Sequence, residues 1–160
     1  MTAHGDCRHP HRDRTGPGSA VGSSATRLRL GSPGGRGVVV RRAYGLGYVR
    51  GSVPLNRSSL MKADAVRKCG FSHTPCGMEF SRTFKRAGYL PARAFGENLA
   101  WGQGELGSPV HTLQLWLNSP PHRMNLMAPR WRDLGIAFER GRMFGRDGVA
   151  LWVMQFGQRR

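Results

Sequence analysis

The chain has 160 residues, enough for one domain of ordinary size and some excess. Its 25 Lys and Arg against 9 Asp and Glu give a formal charge of +16, which favours anionic partners. No run is apolar enough to cross a bilayer. Zinc-finger spacing, an aromatic RNA-binding strand and a basic recognition helix are all missing, and the arginines are dispersed, so a solvated basic surface is expected and nucleic acid is not.

Residues 1–37 are rich in Gly, Ser, Arg, Pro and Thr and show neither helical nor strand period. Such a segment cannot bury enough apolar surface to offset its ordering entropy, so disorder is expected. His4, His9 and His11 with Cys7 have metal-ligating chemistry, but nothing beside them would hold the ligands in place. No apolar signal-peptide core follows Met1. All four tryptophans and all seven phenylalanines lie beyond residue 55, so the core must come from the second part of the chain.

Order is expected from near Asn56. Ser58 or Ser59 can cap a helix in which Leu60, Met61, Ala63, Ala65 and Val66 supply the apolar face, ending at Cys69-Gly70. A second helix is expected over 79–87, with Phe80, Phe84 and Ala87 on one side and Gly88 as its stop. Residues 93–105 have no clear period. Ser108-Pro109 is a strong helix start, and Val110, Leu113, Trp116 and Leu117 form the buried stripe until Ser119-Pro120-Pro121 ends the helix. Leu134–Phe138 and Val149–Phe156 read as strands joined across a glycine-rich loop in an antiparallel hairpin. Helices followed by a strand pair indicate an α/β or α+β domain of helices packed on a small antiparallel sheet.

Four segments then stand in a familiar order and spacing. They are Cys69-Gly-Phe-Ser-His73-Thr-Pro-Cys76, Gly96-Glu97-Asn98-Leu99-Ala100-Trp101-Gly102, Trp116-x-x-Ser119-Pro120-Pro121-His122-Arg123-x-Asn125, and Leu134-Gly135-Ile136 leading to Gln155-Phe156-Gly157. The pattern resembles bacterial SCP-like domains of the CAP superfamily (cysteine-rich secretory proteins, antigen five and pathogenesis-related proteins). Any one motif alone is weak; four in register over about a hundred residues are strong.

The resemblance implies an α-β-α sandwich over residues 54–158, with a small antiparallel sheet between helical layers. It also implies an extracellular or cell-envelope location. The family normally opens with a helix bearing an Asn-x-x-Arg signature, and residues 1–50 contain no such sequence. The first family helix is therefore expected to be missing, and residues 1–50 to be a disordered or mis-translated Arg/Gly-rich segment. Family roles are diverse, including metal-dependent peptide cleavage, lipid binding and surface recognition. The expected role is a secreted or cell-envelope binding module, monomeric, with an anionic wall polymer or lipid as partner. The alternative is a metal-dependent, peptidase-like hydrolase.

His73, Glu97 and His122 are the residues the motifs place in a cleft, with Ser119 and Asn98 beside them; Ser119 stands where eukaryotic members carry a second acid. Two imidazoles and a carboxylate can hold a divalent ion such as zinc and leave a position for water, which would make hydrolysis conceivable. Without metal, Glu97 beside a histidine can serve as a general base. The rival reading is that each of the three only ties loops together. Cys69 and Cys76 flank the His73 loop; in an oxidising compartment they pair, while a zinc pair would lack its partner motif. Trp101 and Trp116 are expected in the core rather than on a ligand-stacking surface.

Overall fold

A computed structural model describes residues 40–159. The disorder expected for residues 1–37 and the His4, Cys7, His9, His11 tract lie outside that range. The described elements are β1 (Arg50–Gly51), α1 (Val53–Cys69), α2 (Arg82–Arg86), β2 (Ala94–Gln103), α3 (Pro109–Asn118), α4 (Pro120–Met127), β3 (Asp133–Met143) and β4 (Arg146–Gln158). The strands form one sheet in the order β1-β3-β4-β2. Helices on both faces give the α+β sandwich. The sheet is mixed rather than purely antiparallel, because two-residue β1 runs parallel to β3.

The three long strands are antiparallel, with Glu97 opposite Gln155 and Leu134 opposite Phe156. β2 corrects the reading of residues 93–105 as aperiodic. From Gly96 to Ala100 every residue is buried. A strand buried on both faces has no polar alternation to reveal it.

Pleating sends alternate side chains to opposite layers. On one face Ala100, Trp152, Met154 and Phe156 pack with Trp116 of α3 and with Trp131. On the other, Leu99, Leu151 and Val153 pack with Ala63 and Val66 of α1. Gly135 makes the second contact close: a Cβ there would drive into the backbone of Leu55.

Helix boundaries differ from the expected ones where tertiary packing overrides local signals. α1 begins at Val53 because Ser52, not Ser58 or Ser59, is its N-cap, accepting from the Leu55 N–H. Ser58 and Ser59 lie fully buried in the helix, whereas Leu60 is 54% exposed. α2 is shorter than expected, and α3 keeps its Ser108 cap. Val110 is exposed, but Leu113 and Trp116 are buried as read. Ser119-Pro120-Pro121 ends α3 and at once starts α4, since proline is preset for the first turn of a helix.

Order also reaches further back than Asn56. Residues 40–43 are helical. Arg41, only 1% exposed, donates from Nη1 to the carbonyls of Leu126 and Ala128 at 2.8 and 2.9 Å. Val49 belongs to the core and Val40 packs against it. Residues 40–50 are thus part of the folded domain, correcting the expected boundary at residue 50. Among the described residues no helix is long and apolar enough to cross a membrane.

Candidate functional site

The motif residues converge on β2, an edge strand. Pleating points Glu97 toward the α1 layer and Asn98 toward α4. On the free side, the Glu97 carbonyl accepts from Asn125 Nδ2 at 2.9 Å and the Leu99 carbonyl from Trp116 Nε1 at 3.0 Å. The edge is therefore partly closed by side chains from the helices. Asn125 comes this near because residue 96 is glycine: a Cβ there would stand 2.7 Å from Asn125 Oδ1.

Glu97 is the centre of the site. Its side chain is fully buried, and Oε1 lies 2.9 Å from His73 Nδ1 and 3.6 Å from Lys62 Nζ. Oε2 accepts from Gln155 Nε2 at 2.7 Å. His73 sits on the loop closed by the Cys69–Cys76 disulfide and is half exposed. Lys62 is fully buried in α1; its Nζ donates to the His73 carbonyl at 2.6 Å and stands 5.3 Å from the centre of the Phe80 ring. Burial lowers the Lys62 pKa, and the Glu97 carboxylate opposes that fall.

His122 is held differently. Its Nδ1 is 2.7 Å from Ser119 Oγ, and its backbone carbonyl accepts from Asn98 Nδ2 at 3.0 Å. Asn98 Oδ1 in turn accepts from Asn125. Burial first, and the charge of His73 second, lower the His122 pKa from its ordinary value. The Ser119–His122 pair looks like a nucleophile and base, but local structure accounts for it. Ser108-Pro109-Val110-His111 repeats the spacing of Ser119-Pro120-Pro121-His122, and Ser108 Oγ lies 3.0 Å from His111 Nδ1. A serine N-cap followed three residues later by histidine brings the two groups together at both helix starts. The contact therefore arises from a helix start and does not by itself mark catalysis.

The structure thus brings His73 and Glu97 into direct contact, with Asn98, Ser119 and His122 across the edge of β2. It does not form the expected zinc set. Among the described residues no three His, Cys, Asp or Glu side chains are grouped to hold a metal ion. Both Glu97 oxygens already have protein partners, and one of them faces an ammonium group. The donor set does not fit the metal that the resemblance implied.

Sequence reasoning missed Lys62, Gln155 and the hydrogen bonds of Asn125. The available signal for Lys62 was a lysine between Ser59 and Ala63 on the face of α1 that carries Leu55 and Val66. Of the tryptophans, Trp116 is core as expected; Trp101 is half-buried beside Phe144, with the Arg146 guanidinium 6.0 Å over its ring.

The profile of the CAP cysteine-rich secretory protein family matches residues 37–156. Among curated proteins none matches the chain. Among solved structures, the chain is similar to an outer surface protein from Borrelia burgdorferi, with TM-score 0.67 and 18% identity over 79% of this chain and 89% of that one. It is also similar to an extracellular protein containing an SCP domain from Bacillus anthracis, with TM-score 0.62 and 20% identity over 77% of this chain and 38% of that one. A cysteine-rich secretory protein from Staphylococcus aureus gives TM-score 0.57 and 13% identity over 78% of this chain and 37% of that one. The chain thus spans little more than a third of the last two. At these identities the likeness shows a shared fold.

Proposed function

Since this chain belongs to the cysteine-rich secretory protein family, we propose that it acts outside the cell or at its envelope, as a binding module for an anionic wall polymer or lipid surface. One observation carries this reading. Glu97, the acid of the cleft, has both oxygens committed inside the protein, to His73 and Lys62 on one side and to Gln155 on the other. Buried hydrogen bonds of this kind hold the cleft rigid as a preformed surface.

Two further features support it. The formal charge of +16 attracts polyanions. A groove of about 610 Å³ lies along the free side of β2, lined by Trp101, Leu106, Leu115, Asn118 and Arg146. It offers a long ligand an aromatic ring, an amide and a cation, and among the described residues no carboxylate lines it. The extracellular character of the Bacillus relative agrees with such a role.

Co-sedimentation with purified cell-wall preparations and with anionic phospholipid vesicles tests the proposal. Binding is expected at low salt, weakening as salt rises and weakened further by Arg146→Glu. No binding to either preparation at low salt would reject it.

A further inference from the structure

We infer that Lys62 is the resident cation of the Glu97 cradle, and that its ammonium keeps divalent metal ions off the His73–Glu97 pair. The inference stands on the disagreement between the donor types in the cleft and the way they are used. His73 Nδ1 and Glu97 Oε1 are adjacent, 2.9 Å apart, and of the kinds that zinc takes. Yet Lys62 Nζ stands 3.6 Å from the same oxygen, with both side chains fully buried. The ammonium is anchored from a second direction by the His73 carbonyl and lies over the Phe80 ring. It is built into the core of α1 and cannot swing into solvent without opening the helix–sheet interface.

Zinc bound to that oxygen would lie about 2 Å from it. Ion and ammonium would then be at most about 6 Å apart in a site where water screens weakly. Repulsion between two positive charges and one at that distance weakens metal binding by roughly a hundredfold or more. The carboxylate can neutralise one cation well, and the chain supplies that cation itself. Among the described residues no third metal-ligating side chain is grouped with the pair. Lysine thus fills the electrostatic role that a metal would have, and the cleft holds its shape without one. This inference does not depend on the ligand the module binds.

Zinc titration by calorimetry, with the cobalt absorption spectrum as a second readout, tests it on the full chain. The wild type is expected to bind zinc at this pair weakly or not at all. Lys62→Gln keeps a donor for the His73 carbonyl and removes the charge; it should bind zinc roughly a hundredfold more tightly, with the cobalt absorption saturating in step. Lys62→Arg keeps the charge and should behave as the wild type. The inference is overturned by tight stoichiometric zinc binding to the wild type that Glu97→Gln abolishes. Lys62→Gln that is folded by near-ultraviolet circular dichroism and binds no better than the wild type also overturns it, as does tight binding by Lys62→Arg. Where Lys62→Gln does not fold, tight wild-type binding abolished by Glu97→Gln still overturns the inference.

Discussion

Against one face of the sheet, α3 and α4 press Trp116, Leu126 and Leu113 onto Trp152, Met154 and Phe156, an apolar cluster with the buried Arg41 and Asn98 at its border. Against the other, α1 lays Leu55, Ala63 and Val66 alongside Ser58, Ser59 and Lys62, and the sheet answers with Glu97 and Gln155. Both faces are equally dry, but they are stabilised differently. The first gains from area removed from water and from close packing. The second carries a buried charge pair whose desolvation cancels much of its attraction, and it leaves Ser58 Oγ, Ser59 Oγ and Gln155 Oε1 without a hydrogen-bond partner among the described residues. The difference teaches that the α1 face is organised for the position of particular polar groups around Glu97, and the α3–α4 face chiefly for stability.

Substitutions can break that contrast. The largest effect is expected from Trp116→Ala on the apolar face. The side chain is fully buried, and its loss leaves a cavity and an unpaired Leu99 carbonyl. Urea denaturation should show a loss of about 3–5 kcal/mol. A loss below about 1 kcal/mol, the scale of an ordinary surface substitution, would mean that this face does not dominate stability.

Next comes Lys62→Met, expected to cost about 3 kcal/mol by stranding a buried carboxylate. That is the low end for such a change, because His73 remains beside Glu97. Adding Glu97→Gln should recover a substantial part, since the stranded charge is then gone. Simple additivity of the two losses in a double-mutant cycle would show that the polar face behaves like the apolar one.

Removing the Cys69–Cys76 bridge by double serine substitution should cost about 2–3 kcal/mol, as expected for releasing a short loop. It should also loosen His73 more than the core, which amide exchange can resolve. Equal changes in exchange across both faces would refute a local role for the bridge.

The smallest effect is on pH. His122 is held below its ordinary pKa of 6.5, so the unfolded chain takes up a proton there before the native protein does. Its contribution is complete above that value and is lost as pH falls below it. Melting temperature should therefore decline on acidification, less steeply in His122→Gln. An identical slope in the two proteins would remove His122 from the account.

How much of this was legible beforehand depends on the range of the forces involved. Ser108-Pro109 announced α3 because a cap and a preset proline act within one turn. The same chemistry at Ser119-Pro120 reads only as a stop, although it also starts α4. β2 escapes notice because Glu97 and Asn98 look like loop residues until distant partners accept them. Lys62 looks like a solvent-facing residue for the same reason: a lysine is buried only when a counter-charge comes to meet it.

By itself, then, the sequence determined the mix of helices and strands, the Ser108-Pro109 helix start and the loop between Cys69 and Cys76, while the family resemblance pointed to His73, Glu97 and His122. Each depends on neighbours a few positions apart or on a pattern repeated along the chain. Tertiary structure alone decided that His73 meets Glu97 and that the buried Lys62 ammonium stands beside them. Those outcomes depend on neutralising a buried charge, and the groups that do so come from separate elements whose approach no local rule specifies.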